Sequence, residues 1–337
     1  MAVRRMYSLP ALKGFLRSSW CLSSSTCKKV TACIASILCI SSAPALAEDP
    51  LEGFRPLGRL VSVGEHKLHI HCTGKGSPTV LLEAGIGGNH LDWILAQPII
   101  AQQTRVCSYD RAGYGWSERG PKPRLASSIS AELQMLVRRA GLEGPFVLVG
   151  HSFGGLLSIY FAAKYADEVV GLVLVDSMHH DQYDVFAEEG IKVASEPSRA
   201  VIYSGRDLLT YGIPPAYQDM AYELATTDKT RSFMFNELRN MKGTMSEVRP
   251  VSLRGLPVRL IIHGRREWDK IYKDGRMERV WRTLQADLQK THRGAPLILA
   301  ADAGHQIPLD APKLVAQVVS DVVAVARRSR PEAYGKN

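Results

Sequence analysis

Pro145-Phe146-Val147-Leu148-Val149-Gly150-His151-Ser152-Phe153-Gly154-Gly155-Leu156 is the stretch on which the reading of the fold turns. Phe146 to Val149 are apolar in succession, as in a strand buried on both faces, and a helix-like segment follows Ser152. Between them stands G-x-S-x-G. In that setting Gly150 and Gly154 let strand and helix approach closely through a sharp turn, which exposes Ser152 Oγ at the tip of the sheet. The N–H of Phe153 then points at any oxyanion formed there. The pattern reads as a nucleophilic serine; a glycine-rich packing turn is the plainer alternative.

Outward from this stretch the same grammar repeats. Val80-Leu81-Leu82, Leu172–Val175, Leu260-Ile261-Ile262 and Leu297-Ile298-Leu299 are short apolar runs suited to parallel strands covered on both sides. Leu60–Val63 and Lys67–His71 alternate around Gly64-Glu65 and predict a hairpin. Ile129, Leu133, Leu136, Val137 and Ala140 share one helical face, as do Leu314, Val315, Val318, Val319 and Val322. Strands alternating with helices argue a parallel α/β sheet. From about residue 177 to 257 no strand-like run occurs, only helix-like patches, which predicts a helical lid inserted over the sheet.

A serine hydroxyl needs a base within hydrogen-bond reach. Of the 10 histidines, His305 is best placed, after the last strand-like run and before the last helix. Loops at the carboxyl ends of parallel strands form the functional edge of such a sheet. His69 and His71 alternate within an early strand and read as structural. His151 adjoins the serine, and its neighbouring position points it away.

The chain has 337 residues, 45% hydrophobic and 22% charged, an ordinary globular composition that excludes disordered and collagen-like classes. The net charge of +9 suggests a nucleic-acid partner until it is located. Residues 1–47 carry six of the 42 bases and no acid, leaving 36 bases against 33 acids, and the nucleic-acid reading fades. Lys28-Lys29, the apolar run Val30–Ile40 and Ala45-Leu46-Ala47 have the three parts of a secretory signal, with cleavage expected at Ala47/Glu48. The run is short for a span, so no stable membrane segment is expected after cleavage; an uncleaved anchor is the alternative. The expected location is secreted or periplasmic. Four of the six cysteines lie in that leader; Cys72 and Cys107 remain, either as a disulfide or as two buried thiols. No Cys/His cluster has metal-ligand spacing, and Gly85-Ile86-Gly87-Gly88 lacks the spacing of a dinucleotide or phosphate loop. No metal and no cofactor are expected.

These residues resemble the α/β-hydrolase superfamily over residues 58–328. The resemblance implies a mostly parallel eight-stranded sheet flanked by helices, with the lid inserted in a domain from 48 to 337. Glu83-Ala84-Gly85-Ile86-Gly87-Gly88 is similar to the family's oxyanion loop, with Ile86 supplying the second N–H beside that of Phe153. Ala84-Gly85 stands there in place of the usual His-Gly. Tyr109-Asp110-Arg111-Ala112-Gly113-Tyr114-Gly115-Trp116-Ser117 is similar to the D-x-x-G-x-G-x-S loop, which implies turns and an Asp110/Arg111 pair of structural function. Gly304-His305 with Asp310 and Pro312 matches the base loop. The family's sheet order makes the second and fourth strands neighbours, which would allow Cys72 and Cys107 to bridge.

The resemblance leaves the third triad member open. The customary position after the seventh strand holds Glu267, which is the favoured acid; relatives that carry it after the sixth strand imply Asp176, and Asp269 ranks below both. A serine at the elbow argues against the dehalogenases and epoxide hydrolases of the family, which need a carboxylate there. The expected activity is hydrolysis of a carboxylic ester or related small-molecule acyl substrate. Peptidase, thioesterase, amidase or transacylase chemistry would use the same residues. A binding protein on a hydrolase scaffold, its triad incomplete, is the rival from another class.

Overall fold

The computed structural model describes residues 51–192, 205–253 and 255–329; the expected leader, 1–47, lies outside the described residues. Eight strands form one sheet in the order β1-β2-β4-β3-β5-β6-β7-β8. They are β1 (Arg59–Ser62), β2 (Lys67–Thr73), β3 (Thr79–Glu83), β4 (Val106–Tyr109), β5 (Phe146–His151), β6 (Val169–Val175), β7 (Val258–His263) and β8 (Leu297–Ala300). β1 and β2 are the antiparallel hairpin, β2 runs antiparallel to β4, and every later pairing is parallel.

The apolar runs are continuous because both sheet faces are covered. Leu81, Leu148, Leu172 and Leu174 point to one side, where helices α2 (Ala126–Arg139) and α3 (Phe153–Lys164) bring Ile129, Leu133, Leu136, Leu156 and Leu157. Val80, Leu82, Val147, Val149, Val173 and Val175 point to the other. There the C-terminal helix Pro312–Ser329 brings Val315, Val318, Val319 and Val322, so strand period 2 meets helix period 3.6 on each face. α1 (Gln97–Ile100) packs beside that helix, with Ile100 in the same cluster.

Between β6 and β7 the described residues are helical: α4 (Gln182–Glu188), α5 (Arg206–Leu209), α6 (Pro215–Thr226), α7 (Asp228–Arg239) and α8 (Met241–Val248). Ile213, Met220, Ala221 and Leu224 bury against Leu91 and Leu309, so this layer packs over the loops at the carboxyl edge of the sheet. After β7 come α9 (Arg276–Thr291), then β8, α10 (Ile307–Asp310) and the C-terminal helix, α11. Among the described residues no helix is long and apolar enough to cross a membrane.

Cys72 and Cys107 are directly opposed on β2 and β4 and are joined as a disulfide. Of the two readings the sequence left open, the bridge is the one the sheet order brings into place. The expected Asp110/Arg111 pair does not form. Asp110 takes two buried histidines, His69 Nδ1 at 3.0 Å and His90 Nδ1 at 2.9 Å, while Arg111 turns away to two glutamates. The two neighbours point apart because each answers a different buried demand for a partner.

Candidate active site

β5 delivers Ser152 through a turn that only small neighbours permit. Ser152 sits at φ 52°, the left-handed region that side chains other than glycine rarely adopt, and strain of this kind clusters at functional positions. A side chain at Gly154 would meet the carbonyl oxygens of Glu83 and Ala84 at 2.4 and 2.6 Å, so the elbow is seated against the end of β3. The turn is closed by Ser152 N–H donating to the Val175 carbonyl at 3.0 Å and Met178 N–H donating to that of Ser152 at 3.0 Å. The hydroxyl lies 3.1 Å from His305 Nε2, on the loop after β8.

His305 Nδ1 lies 2.6 Å from Asp176 Oδ2. Asp176 follows β6 without a break, fully buried, its own N–H bonded to the Ile261 carbonyl at 2.7 Å. Burial alone would raise this carboxyl, but hydrogen bonds from His263 and His305 and their charge hold it well below the usual carboxylate range. The favoured acid is corrected here. Glu267 stands on a half-buried 3-10 turn, Glu267–Lys270, with its carboxylate on Lys270 Nζ at 2.6 Å. Asp269 pairs with Arg266 on the same turn. Neither reaches His305 Nδ1, because β7 places His263 where it faces Asp176 and the chain turns outward beyond Gly264.

His151 is buried beside Ser152 and donates from Nε2 to the His305 carbonyl at 2.8 Å, joining the elbow to the base loop. Burial pushes it down to about 3, so it stays neutral and serves as a strut. His69 is structural, with Nδ1 on Asp110 and Nε2 accepting from Gly58 N–H.

The glycine-rich loop after β3, residues 84–88, is held from behind. Arg111 donates to the Ala84 and Gly85 carbonyls at 2.7 and 2.8 Å, which fixes the peptide planes leading to Ile86. It also binds Glu83 Oε1 at 2.8 Å and, across to α7, Glu237 Oε1 at 3.0 Å; Tyr114 completes the cluster on Glu237 at 2.6 Å. Glycine at 113 matters here for a second reason: a side chain would overlap the Phe233 ring at 1.9 Å, so the loop after β4 is also the seat of the lid. Among the described residues neither Ile86 N–H nor Phe153 N–H has an acceptor.

Ser152, His305 and Ile86 face a cavity of about 350 Å3 roofed by Leu209, Ile213, Ala221 and Met234. A second hollow of about 290 Å3 adjoins it at His305, with Arg265, Glu267 and Asp310 in its wall. Asp92 touches both, and burial pushes its carboxyl up to about 7.

His263, Trp281 and Glu237 were missed by sequence reasoning. An ionisable residue closing the apolar run Leu260-Ile261-Ile262 was the available signal for His263. Glu237 gives none, since an acid on a lid helix reads as solvated.

Residues 78–198 match the family model described as alpha/beta hydrolase fold. An uncharacterised protein of Schizosaccharomyces pombe is 32% identical over 36% of this chain, which spans only 28% of that relative's length. An AB hydrolase superfamily protein of Gibberella zeae is 24% identical, covering 74% of this chain and 87% of its own. Among solved structures, the epoxide hydrolase CorEH superposes with a TM-score of 0.60 at 18% identity, over 80% of this chain and 99% of that one.

Proposed function

We propose that the chain, whose residues 78–198 match the alpha/beta hydrolase fold, is a serine hydrolase cleaving carboxylic esters or related acyl substrates. One observation carries this reading: Ser152 Oγ, His305 and Asp176 form an unbroken hydrogen-bonded line at 3.1 and 2.6 Å. The likeness to an epoxide hydrolase speaks for the fold alone, and the elbow here holds a hydroxyl where that chemistry needs a carboxylate.

In this reading His305 Nε2 takes the Ser152 proton as Oγ attacks the acyl carbon. Asp176 keeps the proton on Nδ1 and stabilises the imidazolium. The Phe153 and Ile86 N–H groups receive the oxyanion, an effect worth about 3 kcal/mol per donor. His305 then passes the proton to the leaving group, which departs. Water attacks the acyl-enzyme with His305 again as base, restoring Ser152. Thioester or amide substrates would pass through the same steps. The binding-protein alternative rested on the uncertain acid, and the seating of Asp176 against His305 supports the enzyme reading instead.

We further place the protein outside the cytosol, after removal of residues 1–47. The leader pattern and the Cys72–Cys107 bridge, a feature of oxidising compartments, support this. The catalytic reading is tested by Ser152→Ala against p-nitrophenyl esters of rising chain length. Turnover should fall by about three orders of magnitude or more with the fold intact. Near-normal turnover by the variant would sink the mechanism.

A further inference from the structure

Asp176 serves two histidines. His305 Nδ1 and His263 Nδ1 both lie on its Oδ2, at 2.6 and 2.7 Å, and Trp281 Nε1–H donates to Oδ1 at 2.9 Å. His263 closes β7 with no exposure to solvent. Its other nitrogen, Nε2, faces the carboxylate of Glu278 on α9 at 3.3 Å, and Glu278 is itself only 2% exposed.

The proton count follows from the partners. An ionised carboxylate only accepts hydrogen bonds, and a neutral imidazole has a single N–H. With a carboxylate at each nitrogen, a neutral His263 would leave one lone pair facing a carboxylate oxygen in a buried site. Protonated at both nitrogens, it satisfies both partners and separates two buried negative charges. Arg282 stands behind Glu278 at 2.7 Å, and the rings of Trp268 and Trp281 lie 6.1 and 6.4 Å from that of His263. The charged and titratable groups facing His263 are thus Asp176 from the end of β6, Glu278 from α9 and His305 from the base loop.

We propose that His263 is a fixed positive charge on the triad acid: it holds Asp176 ionised and in place, and it extends the enzyme's working range toward acid pH. Burial opposes the charge, and the Asp176 and Glu278 carboxylates outweigh it, raising His263 above its ordinary value. The sign of the kinetic effect follows from the shared oxygen. The charge on His263 stabilises the carboxylate form of Asp176, so the ionised acid that orients His305 persists further into the acid range than it would beside a neutral neighbour. His263 touches no substrate and acts through Asp176, as a positioning residue. The charge on His263 stands on geometry alone; its kinetic consequence rests on the serine-hydrolase reading.

Two measurements test it on the full chain. Side-chain nitrogen NMR should find both His263 ring nitrogens protonated at pH 7; a neutral ring there would overturn the proposal. His263→Asn keeps a donor near Asp176 without the charge, and should move the acid limb of the kcat/KM profile upward by about one pH unit. A uniform fall in rate with the limb unmoved would mean that His263 is structural only, and would also overturn it. Glu278→Gln removes the buried negative charge that partly offsets the His263 cation, and should shift the limb the other way, downward and by less. That variant and the NMR carry the test should His263→Asn fail to fold. A wild type that turned over no ester would overturn the catalytic reading instead, with the charge on His263 still decided by NMR.

Discussion

Two carboxylates adjoin the base loop, and the protein builds them differently. Asp176 grows directly out of β6, fully buried, with its backbone locked to β7 and both oxygens occupied by ring N–H donors. Glu267 rides a half-buried 3-10 turn beyond β7, close to Gly304, and spends its charge on an exposed Lys270. A longer side chain on an irregular turn loses more conformational freedom on being fixed, and exposed ion pairs are worth little. A strand end holds geometry more tightly than a surface turn. Proximity to the histidine is therefore a poor guide to the orienting acid; rigidity and saturation of the carboxylate are better ones.

The sharpest way to break this contrast is to remove each charge without changing shape. Asp176→Asn should cost about 10⁴-fold in kcat, because the histidine then loses control of its tautomer. Glu267→Gln should cost less than about threefold against the same ester, because an exposed pair with Lys270 is all that it loses. The opposite ranking would return the triad acid to the turn after β7.

A smaller effect is expected one layer back. Glu237→Gln removes a charge that lies at neither the nucleophile nor the base, yet it anchors the Arg111 side chain that fixes the oxyanion loop. Kcat should fall by about 10–100-fold through misplaced donors, with Ser152 still present. Steady-state kinetics at fixed pH check this, and an unchanged kcat would show that the loop holds its shape without the lid.

The smallest effect on activity belongs to the far edge of the sheet. Replacing Cys72 and Cys107 by serine should lower stability by about 2–4 kcal/mol and leave kcat within about twofold. Chain recovered from its natural source should begin near Glu48 and titrate no thiols when unfolded without reductant. A chain that retains Lys28 and Lys29 in the membrane fraction would make the leader an anchor, and one that titrates two thiols would contradict the bridge.

The pairing of Ser152 with His305 was legible because its signals are local. Gly150–Gly154 between a strand and a helix defines Ser152, and the loop between β8 and α10 defines His305. The sheet was legible for a related reason: two covered faces leave runs such as Leu172–Val175 apolar throughout. The carboxylate that binds His305 was not, since Asp176 is distinguished by Trp281, 105 residues away, and by His263, 87 residues away. The Arg111–Glu237 tie spans 126 residues and depends on how the lid sits. Asp110 and Arg111 looked like partners because they are adjacent, whereas burial sends each to carboxylates or histidines from elsewhere. Chemistry set by chain neighbours can be read from a sequence; chemistry set by packing partners waits for the fold.

Everything proposed for the reaction depends on an activated Ser152. The most direct measurement is peptide mapping by mass spectrometry after treatment of the full chain with a fluorophosphonate. A single covalent adduct on the peptide carrying Ser152, lost in His305→Ala and strongly slowed in Asp176→Asn, is the result expected. A chain that takes up no probe, or takes it up at another residue, would contradict it.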